Sequence, residues 1–223
     1  MTVRYAKSAI FNRQVRIVVH KKSGTLQKAI AADPLGRAKD VQKEIDWYLS
    51  READCHKVVN YLASGELPLR VTHNDTKLNN ILFDYDSRTP LCVIDLDTIM
   101  PGSSLYDYGD SIRFGASTAA EDEKDLDKVW CDMELFRTYT QGFLEGCNGS
   151  LTDLEVEMLP MGAKMMTLEC GIRFLADYLN GDTYFRTHYE GQNLDRARTQ
   201  FKLVADMESK WDTMMSIVKE CAK

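Results

Sequence analysis

The chain has 223 residues, 44% of them hydrophobic and 28% charged, with a net charge of −6. This length supports one large domain or two small ones around a true core. The acidic balance argues against a nucleic-acid partner, and no apolar run approaches the roughly 18 residues of a membrane span.

Residues 1–24 stand apart: they carry Arg4, Lys7, Arg13, Arg16, Lys21 and Lys22 and not one acid. An acid-poor basic start fits either a presequence-like segment or a segment out of its proper context. It contains no secretory signal, so the chain reads as cytoplasmic. Cys55, Cys92, Cys131, Cys147, Cys170 and Cys221 form no C-x-x-C pair and no zinc spacing. They read as free, buried or half-buried thiols of a reducing compartment.

From Asp33-Pro34, an N-cap followed by proline at the first helical position, the pattern turns helical. Val41, Ile45, Tyr48, Leu49, Val58, Val59 and Leu62 keep that spacing up to a stop at Gly65. Residues 67–72 run short and extended. Residues 80–84 and 91–96 flank a polar turn at 85–90, which predicts a β-hairpin. Three long helical patterns follow, over about 121–144, 152–179 and 194–220. The second opens on a capping box, Thr152 with Glu155, is interrupted at Pro160 and stops at Gly181. The predicted fold class is α+β, a small β-hairpin set on a mainly helical body.

The chemistry concentrates in Val71-Thr-His-Asn-Asp-Thr-Lys-Leu-Asn-Asn80, an H-x-D-x-K-x-x-N array of His73, Asp75, Lys77 and Asn80. Asp95 follows on the next strand. Phosphoryl transfer needs a carboxylate to take the hydroxyl proton and oxygen ligands to hold magnesium on the phosphates. Asp75 on a loop, Asn80 five residues on and Asp95 beyond a hairpin supply those parts. A hairpin symmetric about Ser87-Arg88 makes Asn80 and Asp95 direct cross-strand partners, with Cβ atoms about 4.5–5.5 Å apart, close enough to share one hard cation. Lys77 reads alone as a solvated surface lysine and within the array as a partner of the γ-phosphate. His73 reads as structural, bracing the loop.

The array, the Val-Ile-Asp-Leu-Asp-Thr run at 93–98 and Tyr106-Asp-Tyr-Gly-Asp-Ser-Ile-Arg-Phe-Gly115 together resemble the aminoglycoside phosphotransferase and choline kinase superfamily, and within it the N-acetylhexosamine 1-kinases. The likeness runs from about Leu26 to the C-terminus. It implies the mainly helical C-terminal lobe of a protein-kinase-like fold over residues 25–223, with ATP as phosphoryl donor and Mg2+ as cofactor. It makes Asp75 the catalytic base, assisted by Lys77, and Asn80 and Asp95 the magnesium ligands. Asp107 pins the catalytic loop. In the stretch Thr167–Phe185 it makes Arg173 and Tyr184 sugar-binding residues, roles that a guanidinium fork and an aromatic hydroxyl suit.

Such kinases also have a β-rich N-terminal lobe over the nucleotide. Only 32 residues precede Asp33 here, and they hold no G-x-G-x-x-G and no V-A-I-K-like strand. The expectation is a truncated chain with the family's residues, little activity alone, and an exposed surface that favours self-association. The expected partner is a small sugar, with no nucleic acid and no membrane. Two rival readings stand beside this one. The first is a non-catalytic module that binds a hexosamine or a protein. The second is a kinase for another acceptor, such as choline, homoserine or an aminoglycoside.

Overall fold

The computed structural model describes residues 20–223; the basic segment through residue 19 lies outside the described residues. In chain order the helices are α1 (His20–Ala32), α2 (Gln42–Leu49), α3 (Asp54–Ser64), α4 (Ser104–Gly115), α5 (Met133–Cys147), α6 (Asp153–Glu157), α7 (Leu159–Leu179), α8 (Gln192–Ser209) and α9 (Trp211–Cys221). Four short strands lie between α3 and α4: β1 (Arg70–Thr72), β2 (Ile81–Phe83), β3 (Pro90–Val93) and β4 (Met100–Gly102). They form two antiparallel pairs, β1 with β4 and β2 with β3. The result is the mainly helical α+β lobe of a kinase-like fold. No helix among the described residues is long and apolar enough to cross a membrane.

The core forms around α7, which is buried on nearly every side. Such a helix needs neighbours all round, and α8, α4 and α1 supply them. Small residues on α7 set how closely they approach. Gly162 faces the Leu105 backbone of α4, and Gly109 of α4 faces the Gly162 backbone in return. The Phe201 ring of α8 lies over Gly171, with ring carbons 2.7 and 2.9 Å from where a Cβ would stand. Leu168, Ile172, Leu175 and Leu179 fill the space between.

Several expected boundaries move. Asp33 follows the end of α1, its amide donating to Ala29 O at 2.9 Å. Its carboxylate accepts from the amides of Arg37 and Ala38, so it caps the next turn without opening a long helix. Residues 121–132 are largely irregular: the buried Val129 and Cys131 alternate as in extended chain, and Cys131 bridges to Ser117. Asp132 instead caps α5 through the amides of Glu134 and Leu135. The Thr152–Glu155 capping box forms, and the chain breaks at Met158 with Pro160 in the first turn of α7. Gly65 ends α3 in the left-handed region, at φ 82°. All six cysteines are unpaired, but Cys92 is exposed on β3 rather than buried.

The hairpin register also differs from the symmetric one. Ile81 faces Val93 and Leu82 faces Cys92, with a shift between Leu82 and Phe83. Asn80 then meets Ile94, whose amide donates to Asn80 O at 2.9 Å. Asp95 has left the strand at φ 62° and precedes a 3-10 turn. Asn80 and Asp95 are therefore not cross-strand partners: the turn closes with the Asp84 amide on Thr89 O, where the symmetric hairpin would pair Asp84 with Leu91, and the irregularity restores only part of that offset.

Candidate active site

The loop that carries Asp75 joins β1 to a 3-10 turn at Leu78–Asn80. Four hydrogen bonds with α4 hold it. Asp107, in the first turn of that helix, accepts the amides of His73 and Asn74, both at 2.7 Å. The Thr76 hydroxyl donates to Asp107 O at 2.6 Å, and the Ser111 hydroxyl donates to Thr76 O at 2.9 Å. Burial pushes the Asp107 carboxyl up, and the two amide bonds pull against it.

Asn74 takes the left-handed conformation, at φ 64°, which asparagine tolerates. Its side-chain amide donates to Thr72 O and to Thr98 O. His73 Nε2 meets Ile94 O at 3.0 Å, a contact that requires its proton on Nε2. His73 thereby ties the loop to the residue just before Asp95.

Asp75 Oδ2 receives Lys77 Nζ at 2.8 Å and Asn80 Nδ2 at 2.9 Å, and Asn80 Nδ2 also reaches Asp75 O at 2.8 Å. Burial pushes the Asp75 carboxyl up. The bonds from Lys77 and Asn80, with the charges of Lys77 and His73, outweigh burial and hold it below the usual carboxylate range. Asp75 is thus ionised at neutral pH, as a proton acceptor must be.

Asp95 is exposed, and its carboxyl is raised first by its hydrogen bond with Asp97, then by slight burial and by the charges of Asp97 and Asp75. The acids at 75, 95 and 97 thus share one negative neighbourhood. Among the described residues no three His, Cys, Asp or Glu side chains converge as a metal cage. Magnesium is commonly held by one or two protein carboxylates with substrate phosphates completing its shell. The crowded carboxylates and the Asn80 side chain fit that kind of ion.

The other two expected residues form a second cluster. Arg173, on α7, and Tyr184 line a cavity of about 390 Å³ with Thr25, Asp177, Thr183 and Phe185. The Arg173 guanidinium carbon lies 5.9 Å from the Tyr184 ring centre and 5.1 Å from that of Phe185. No hydrogen bond or ion pair among the described residues joins this cluster directly to the Asp75 loop. The two are linked through the α4–α7 contact at Gly109 and Gly162.

Sequence reasoning missed Asn74, Thr76 and Ser111, which fix the loop, and Asp97, which crowds Asp95. Asn74 and Asp97 sit inside the motif words and were legible as polar neighbours. Ser111 becomes legible only once α4 is packed on the loop.

A family model described as the phosphotransferase enzyme family matches residues 21–139, just over half of the chain. The match includes the whole first cluster and ends before Arg173 and Tyr184.

Proposed function

The chain belongs to the phosphotransferase enzyme family, and from that premise we propose that it moves the γ-phosphoryl group of ATP to a sugar hydroxyl, the anomeric hydroxyl of an N-acetylhexosamine. The observation that carries this reading is the state of Asp75. It is ionised, gripped by Lys77 and Asn80, and fixed to a helix terminus through Asp107.

In this reading Asp75 orients the acceptor hydroxyl and takes its proton as the oxygen bonds to phosphorus. Lys77 supplies positive charge beside the transferred group. Asn80 and Asp95 would hold magnesium, which when bound neutralises charge on the phosphates. Asp107 and His73 keep the loop in place, so that little reorganisation is needed when charge develops.

The acceptor class rests on Arg173. It lines the cavity, hydrogen-bonded to Tyr184 and with the charge of Glu169 acting on it, and a guanidinium carries more donors than these use. Such a guanidinium suits an oxygen-rich neutral or anionic acceptor and opposes cationic choline or an aminoglycoside. The test is ADP release from Mg-ATP across a panel of N-acetylglucosamine, N-acetylgalactosamine, choline and an aminoglycoside. The hexosamines should stimulate release and the cations should not. Stimulation by the cations alone would overturn the acceptor assignment. Sugar binding without any transfer would favour a binding module instead.

A further inference from the structure

Asp177 lies in the last turn of α7, where the helix dipole disfavours a negative charge. It is 5% exposed, yet it has no lysine or arginine partner among the described residues. Four N–H groups satisfy it instead. The amides of Thr183 and Tyr184 reach Oδ1 at 3.0 and 2.8 Å. The Phe185 amide and Asn193 Nδ2 reach Oδ2, both at 2.9 Å. Three successive backbone amides form an anion-binding concavity, and here the chain's own carboxylate fills it.

The surroundings hold the same segment from outside. Asn193 is fully buried on α8 and spends its second amide hydrogen on Asp182 Oδ1 at 2.9 Å. Asp182 is left-handed, at φ 59°, and its other oxygen meets Arg37 Nη1 at 2.7 Å. Phe185 packs on Phe174, with ring centres 4.7 Å apart. Tyr184 is different: 75% of it is exposed, and it touches its neighbours edge-on. Packing alone does not place its ring. The backbone that Asp177 orders does. Both Asp177 oxygens are engaged by this segment, and Tyr184 in turn meets Arg173.

We propose that Asp177 is the positioning residue of the acceptor cavity, acting through the 183–185 backbone to hold Tyr184 beside Arg173. This rests on the reading of that cavity as the acceptor site. Asp177→Asn keeps the volume but turns an NH2 group against backbone donors. The expected result is an acceptor KM raised about ten- to a hundredfold, with kcat and nucleotide KM within about threefold of the parent, a melting temperature lowered by several degrees, and faster hydrogen exchange confined to the 183–185 amides. A purely structural role would lower the melting temperature and leave acceptor KM alone. Asn193→Ala removes one of the four donors and should shift acceptor KM the same way by less, so the idea stays testable if the first variant folds poorly. Faster 183–185 exchange with unchanged acceptor KM overturns the proposal and spares the kinase reading. If the parent shows no transfer to any acceptor, the kinase reading fails on its own, and the exchange data still decide whether Asp177 orders the segment.

Discussion

Asp75 differs from the chain's other acids in what surrounds it: one lysine, one asparagine amide, and a loop whose backbone is spent on Asp107. Replacing it with asparagine removes the proton acceptor and little else. Asp75→Asn should lower kcat by about 10²–10⁴-fold with acceptor KM nearly unchanged, as steady-state kinetics would show. Glu155 makes the same kind of argument for stability. It is 1% exposed and receives Arg70 at 2.6 and 3.0 Å, the Ser104 hydroxyl at 2.8 Å and the Thr152 amide at 2.8 Å. It thereby joins β1, the start of α4 and the cap of α6. Burial raises its carboxyl, but these donors outweigh burial and hold it below its ordinary value. A depressed acid contributes stability above the unfolded value of about 4.3, and loses it as pH falls through the folded value. Glu155→Gln should therefore cost about 2–4 kcal/mol at neutral pH and less in acid. Melting curves from pH 7 to pH 3 check this; an equal loss at both ends would contradict it.

At the scale of elements, the α4–α7 crossing is the joint between the two clusters. A Cβ on Gly109 would collide with Gly162 O and stand 2.8 Å from Met166 Cγ. Backbone cannot yield as a flexible side chain can, so Gly109→Ala should destabilise by about 1–3 kcal/mol. That corresponds to a melting-temperature loss of about 3–10 °C, measurable by calorimetry. Activity should fall further than stability explains, because α4 also carries Asp107. Much of this level was legible in the sequence. Gly65, the Thr152–Glu155 box and the Pro160 break are local signals, and each holds where local chemistry decides. The hairpin was legible as a hairpin but not in its register, since neither the tighter closure at Asp84 and Thr89 nor the irregularity between Leu82 and Phe83 leaves a mark in an alternating pattern. The run at 121–132 misled because its buried residues, Val129 and Cys131, alternate as in extended chain instead of keeping helical spacing. The β1–β4 pair was missed because three-residue strands carry almost no periodicity. Asp75, Lys77 and Asn80 were legible because one short loop holds them. Asp177 was not, because its partners come from residues 183–185 and 193.

For the whole molecule, the surface around the Asp75 loop is unusually apolar. Val71, Leu82, Leu91, Val93, Leu96 and Ile99 are each at least 45% exposed. Exposed apolar side chains gathered on this stretch of the chain favour association. The chain should therefore sediment as larger species with rising concentration, and a Leu91→Lys, Val93→Lys double variant should stay monomeric. A parent that remains monomeric throughout would contradict this. The central claim concerns chemistry, and mass spectrometry of the acceptor tests it most directly. The chain is incubated with Mg-ATP and N-acetylhexosamine beside Asp75→Asn, for long enough to register slow turnover. The account predicts a hexosamine monophosphate with the parent and none with the variant. An unmodified sugar in both, or phosphorylation that persists without Asp75, would contradict it.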